Sequence, residues 1–165
     1  MKLVGNWKII IGLSVIVMIG VYFLMNKDVS VEDYFEMYPV HKNDSSLFAN
    51  EEIISAITAY ENGDFQKGLR LLEQEIVKEP KNRSLQFYYA MCQIGLKNYE
   101  FAIVDLEMMI NLHDFNYSEP AKWYLGLLYL KENRKSDAKR ILLDIKNKNA
   151  RYAQKAVEVL KKCNC

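Results

Sequence analysis

SLQFYYAMCQIGLKNYEFAIVDLEMMINL, residues 84–112, decides the fold. Its apolar residues recur at the three- and four-residue spacing of an amphipathic helix, first over 84–96 and again over 99–112. Lys97-Asn98 interrupts the period, so the stretch predicts two helices back to back with a short turn between them. A similar pair lies upstream, at 50–62 and 65–78, separated by Gly63-Asp64 and closed by Pro80-Lys81-Asn82. A third lies downstream, at 119–132 and 135–147. Phe65 to Tyr99, Gly68 to Ala102 and Leu72 to Leu106 are each 34 residues apart. Ala102 to Ala138 is 36, so the loop 113–118 carries a two-residue insertion.

Working outward, residues 150–162 form a seventh amphipathic helix. Tyr152, Ala153, Ala156, Val157 and Leu160 lie on one face and lysines on the other. Cys163 and Cys165 end the chain as a short tail. Toward the other end, residues 28–49 read as a linker. Pro39 and the polar run 41–46 break any helical period, yet Tyr34, Phe35, Met37, Tyr38 and Val40 are too apolar for a free tether. Two readings of that aromatic stretch stay open: it docks onto the first helices, or it is a peptide offered to a partner. Docking is preferred, because clusters of aromatic side chains are usually covered.

Ile9 to Met25 is 17 residues without a charge, about 25 Å as a helix and near the short limit for a bilayer core. Trp7 and Tyr22 stand near its ends, and Lys8 and Lys27 can reach the headgroups. Residues 1–27 therefore predict a single transmembrane anchor embedded in lipid through residues 9–25. No small-x-small cleavage pattern follows it, which argues against a removed signal peptide. The anchor segment has net charge +3 and the remainder −2. The excess of lysines before the span favours a cytoplasmic N-terminus, with the rest of the chain periplasmic or extracellular. A net charge of +1 overall gives no general attraction to nucleic acid.

The repeats resemble the tetratricopeptide repeat family. The resemblance rests on Gly63-Asp64-Phe65, Gly68, Leu69, Leu72 and Pro80 in the first unit. The second unit offers Ala90, Asn98-Tyr99 and Ala102, and the third offers Trp123-Tyr124-Leu125-Gly126, Tyr129 and Ala138. Gln93, Glu75, Asp114 and Ala150 depart from the pattern. The resemblance implies an all-α solenoid of three helix pairs, at about 49–82, 83–116 and 119–150 within a domain spanning 50–162. The helix at 150–162 would cap the open end of the array. It also implies that Ala56, Ala90 and Gly126 face Gly68, Ala102 and Ala138, letting paired helices lie close. The order of anchor, linker with Tyr34-Phe35-Glu36-Met37-Tyr38-Pro39, and three repeats is similar to that of bacterial inner-membrane-anchored proteins of this family.

In such arrays the first helix of each pair lines a concave groove. The residues falling there are Ile53, Ile57, Tyr60, Phe87, Met91, Ile94, Trp123, Leu127 and Leu130, an apolar, aromatic set suited to an extended peptide or a helix. Each could equally be core. Positions that hold a carboxylate in some family members are here Ile53, Ile57, Tyr88, Pro120 and Tyr124, none of them cationic, so partner binding is expected to survive high salt. The resulting expectation is a membrane-anchored scaffold for a protein partner. The alternatives are a structural subunit of a membrane or envelope complex, and a cytoplasm-facing adaptor. No enzyme is expected. His41 and His113 lack metal-ligand spacing and no catalytic constellation stands out, so no metal, cofactor or catalytic residue is assigned. Cys92 reads as a buried thiol. Cys163 or Cys165 could form an intermolecular disulfide in an oxidising compartment.

Overall fold

The computed structural model describes residues 11–18, 31–111, 116–148 and 151–163. Among these the chain is all-α, with no strand. Two short 3-10 turns, Val31–Tyr34 and Ser45–Phe48, precede seven helices. These are α1 (Glu51–Glu61), α2 (Phe65–Lys78), α3 (Arg83–Gly95), α4 (Tyr99–Asn111), α5 (Ser118–Lys131), α6 (Lys135–Asn147) and α7 (Ala153–Lys162). Each helix packs against its neighbours in sequence, so the array is built from local contacts. Of the expected membrane anchor, only 11–18 is described. It is helical, and Ile11, Leu13, Val15, Ile16, Val17 and Met18 are exposed. Among the described residues no helix is long and apolar enough to cross a membrane, and the rest of 9–25 lies outside them. Residues 112–115, 149–150 and Cys165 lie outside them too, so the expectations for His113, Asp114, Ala150 and Cys165 go with them.

The punctuation between paired helices repeats. Gly63, Lys97 and Asn133 all adopt the left-handed conformation, at φ 76°, 63° and 57°. At each, the next residue's N–H reaches back five residues: Asp64 to Ala59, Asn98 to Gln93 and Arg134 to Tyr129, at 2.9, 2.9 and 2.7 Å. The left-handed residue itself donates to Tyr60, Ile94 and Leu130. This double bond is the Schellman ending, which satisfies helix carbonyls that would otherwise lack donors. Only the first unit uses glycine there; Lys97 and Asn133 accept the strain of a side chain at positive φ. Helix starts are set by Asn50, Asp64 and Asn82, whose side chains accept from the N–H groups of Ile53, Lys67 and Leu85.

Small residues govern how closely the helices approach. A Cβ on Gly68 would sit 3.5 Å from the Ala56 carbonyl oxygen and 3.1 Å from Cys92 Sγ, so α2 lies tight against both α1 and α3. A Cβ on Gly126 would sit 3.0 Å from the Leu142 side chain and 3.7 Å from that of Ile141, so α5 lies tight against α6. The closest approach of all is at Gly95, where a Cβ would lie 2.4 Å from the Phe65 ring. That ring lies on the bare end of α3, a contact joining the first two helix pairs. Glu75, one of the departures from the repeat pattern, is buried. It accepts from Lys78 Nζ at 2.5 Å and from Asn50 Nδ2 at 3.2 Å, and the Lys78 ammonium holds its carboxyl below the usual carboxylate range.

Candidate functional site

Helices α1, α3 and α5 carry the nine residues expected to line an open groove. Ile53, Ile57, Tyr60, Phe87, Met91, Ile94, Trp123 and Leu127 are all buried, and Leu130 is partly so. The face they form is closed by the chain's own segment 34–47. Docking, one of the two readings of that segment, is what the structure contains, but the segment reaches past the first helices. It begins at α5 and α7 and ends over α1 and α3, against the order of the helices.

The segment is held by its rings and by its backbone. Tyr38, 4% exposed, stands among Phe87 at 4.9 Å, Tyr88 and Tyr124 at 6.4 Å, and Tyr117 at 6.5 Å, mostly edge to face. Tyr34 meets Trp123, and Phe35 meets Tyr124, also edge to face. Such geometry sets the positive edge of one ring against the negative face of the next. Trp123 is in turn stacked on Tyr152 at 5.2 Å, which links α5 to the tyrosine preceding α7.

Three tyrosines, one from each of α1, α3 and α5, donate to consecutive stretches of the segment's backbone. Tyr124 Oη donates to the Glu36 carbonyl at 2.6 Å, Tyr60 Oη to the Tyr38 carbonyl at 2.7 Å, and Tyr88 Oη to the Pro39 carbonyl at 3.0 Å. The His41 N–H donates back to Tyr88 Oη, and Tyr38 Oη is 2.7 Å from His41 Nε2. Burial pushes the hydroxyls of Tyr60, Tyr88 and Tyr124 far above the usual phenol range, so they remain neutral donors. Three carbonyls of the segment thus find side-chain donors on an apolar surface, and docking of a peptide there requires its polar backbone to be satisfied.

Ionic contacts fasten the two ends. Glu32 pairs with Lys131 at the end of α5, Glu36 with Lys155 of α7 at 3.2 Å, and the Lys162 ammonium stands 5.0 Å above the Tyr34 ring. At the other end Asp44 accepts from the Ser46 N–H, from Ser46 Oγ, from Ser84 Oγ at 2.5 Å and from Tyr117 Oη. Burial raises the Asp44 pKa, but these hydrogen bonds outweigh it and hold the carboxyl below its ordinary value. Leu47, fully buried, plugs the 3-10 turn into the core.

One cleft on this side has a volume of about 310 Å³. Phe35, Met37, Phe65, Ile94 and Leu128 line it, with Lys97 and Lys131 beside them. Tyr88 and Tyr124 serve as hydrogen-bond donors to the chain itself. They and Tyr117, Asp44 and Ser84 were not among the residues expected to line the groove. Eleven tyrosines in 165 residues were the available signal, with Phe87-Tyr88 and Trp123-Tyr124 recurring 36 apart. Tyrosines facing a core must find partners for their hydroxyls.

Cys92 is a buried thiol, pushed up to about 12 by burial alone. Cys163 closes α7 and is buried. Among the described residues no cluster of His, Cys, Asp and Glu could hold a metal ion. Comparison with protein-family models, with curated proteins and with solved structures gives no match to this chain.

Proposed function

We propose that this chain is a membrane-anchored scaffold of the tetratricopeptide type whose concave face binds an extended, aromatic-rich peptide. In the resting chain its own segment 34–41 fills that face. One observation carries the reading: Tyr124, Tyr60 and Tyr88, from three different helices, donate to the carbonyls of Glu36, Tyr38 and Pro39. Backbone carbonyls are common to all peptides, so a surface that reads them suits an exchangeable ligand as well as a tethered one. The tethered copy has a high local concentration, so a partner must bind more tightly or the segment must be drawn away. The anchor at 9–25, with the N-terminus inside and the domain outside, would confine this exchange to the membrane surface. A tension on the segment from that side is the natural release.

Capture from detergent-solubilised membranes tests the reading. Loosening the segment by Tyr38→Ala should increase partner recovery, and excess synthetic peptide of residues 31–41 should release the partner. Recovery indifferent to both would sink the groove reading. A reporter fused after Cys165, active only outside the cytoplasm, tests the orientation.

A second reading is favoured by a different observation. Val77, Phe101, Val104 and Met108 are exposed on α2 and α4, away from the segment. A structural subunit of a membrane or envelope complex, with its concave face permanently closed, would make its contacts there.

A further inference from the structure

A cleft of about 240 Å³ opens where α2, α3 and α4 meet. Glu73, Ile76 and Val77 of α2, Gln86 and Tyr89 of α3, and Asp105 and Met108 of α4 form its walls. Asp105 is the only one of these carboxylates on α4, and it lies on the helix surface between Phe101, Val104 and Met108. Among the described residues no cation pairs with it and no hydrogen bond is made to it; other partly buried carboxylates, at 44, 75 and 144, each have such partners. Around it the surface is apolar to an unusual degree: Val77 is 78% exposed, Phe101 67%, Val104 64% and Met108 45%. Exposed apolar side chains gathered round one unpaired carboxylate are a costly arrangement for a face left in water.

We propose that this cleft is a binding site for a lysine or arginine side chain presented by a basic amphipathic segment of a partner protein. The aliphatic stem would lie along Ile76 and Met108, the cationic head would meet Asp105, and flanking apolar residues of the partner would cover Phe101, Val104 and Val77. Charge complementarity selects this occupant. Residues 51–130, which contain the cleft, hold seven basic and twelve acidic side chains, a net of −5. A neutral apolar partner would cover the same residues but leave the Asp105 carboxylate buried with no counter-charge, which is worse than leaving it wet.

The arrangement makes binding depend on pH. Burial lifts the Asp105 carboxyl to about 6, so near pH 5 it is neutral and offers a cation little. The titratable groups facing it across the cleft are Glu73 from α2 and Tyr89 from α3; burial raises the Tyr89 phenol further, so it stays neutral. Affinity for a cation should therefore rise by up to about tenfold per pH unit from pH 5 toward 6 and level off above 7.

The full chain in detergent, carrying ¹³C-methyl methionine, tests this with n-butylguanidinium as the probe and n-butylurea as its uncharged counterpart. A probe of about eight non-hydrogen atoms should saturate the Met108 methyl shift with a Kd on the order of 10 mM at pH 7.5. The urea should bind at least about tenfold more weakly, and so should the guanidinium to Asp105→Asn, which keeps shape and loses charge. The pH dependence should vanish in that variant. No saturable shift, equal binding of the two probes, or binding untouched by Asp105→Asn each overturns the proposal. So does a dimer, seen by sedimentation, that Asp105→Asn dissociates, since the face would then be covered by a second copy.

Discussion

The two faces of the array carry similar apolar residues and treat them in opposite ways. On the inner face Phe87, Met91 and Trp123 are buried under a segment of the same chain. On the outer face Phe101, Val104 and Met108 are exposed. Helix periodicity cannot distinguish the two, because both sets follow it. The difference lies in what the polar neighbours do. Inner-face tyrosines have carbonyls to donate to, and the carboxylate at the segment's end, Asp44, has three side-chain donors. The outer-face carboxylate, Asp105, has none among the described residues. On the covered face the tyrosines of α1, α3 and α5 and the carboxylate of Asp44 have hydrogen-bond partners, and only the Tyr34 hydroxyl of the docked segment makes no hydrogen bond among the described residues. On the exposed face the carboxylate has no such donor, and the contrast can be broken from either side.

The largest effect should come from the centre of the inner face. Tyr38→Ala removes a buried ring that neighbours five others and should lower stability by about 3–5 kcal/mol. Urea denaturation measures the loss. Hydrogen exchange should show the amides of 34–41 deprotected while those of α3 and α5 keep most of their protection. If the whole array unfolds as one unit, the segment is part of the core and not a ligand on it. Next comes Gly95→Ala, whose added methyl would collide with the Phe65 ring. The ring must swing away from α3, at a cost of roughly 1–3 kcal/mol, only partly offset by alanine's better helix propensity. A melting temperature equal to wild type would mean that the ring has room to move.

The two carboxylates should give opposite pH signatures. Asp105 has a folded pKa raised to about 6, above its unfolded value, so the folded chain holds the extra proton. Its contribution is therefore most favourable in acid and declines as pH rises from about 4 toward 6. Asp105→Asn should abolish that decline and make the chain about 1–2 kcal/mol more stable at pH 7, allowing for water reaching the open cleft. For Asp44 the sign reverses. Its folded pKa is depressed, so it stabilises the docked segment above the unfolded value near pH 4, and that contribution is lost as pH falls through the folded value. Fluorescence of Trp123, which Tyr34 covers, should report the segment loosening below pH 4, and Asp44→Asn should remove that transition.

Much of the helix order could be read from the sequence because the punctuation is local. Gly63-Asp64 and Lys97-Asn98 mark turns by backbone chemistry that needs no tertiary knowledge, and the structure places a left-handed residue at both. Eight of the nine residues assigned to a groove are buried and Leu130 is partly so, as apolar residues at helical spacing usually are. That the groove is filled was legible only as a tendency of aromatic linkers to be covered. Which carbonyl meets which tyrosine depends on the path of segment 34–47, set by residues about 20 to 90 positions away. Gly126 shows the same limit in miniature: small-residue spacing does not reveal that the Leu142 side chain would lie 3.0 Å from a Cβ there. Asp105 escaped notice because an acidic residue on an amphipathic helix ordinarily points to water, and only the walls supplied by α2 and α3 make it exceptional.

The smallest effect sharpens the contrast most. Val104 projects from α4 with 64% of its surface exposed, so replacing it removes almost no burial. Val104→Gln exchanges a β-branched residue for a better helix former and should leave stability within about 0.5 kcal/mol of wild type, with any change in the stabilising direction. The matching exchange on the inner face, at the fully buried Met91, would place an amide with no partner in the core and destabilise by several times as much. A valine that contributes nothing to the fold, beside an exposed phenylalanine and an exposed methionine, is what the proposed outer-face contact requires. Should Val104→Gln instead lower stability by more than about 1 kcal/mol in dilute solution, the outer face would already be covered, by lipid or by another copy. The asymmetry between the two faces would then be one of occupant and not of exposure.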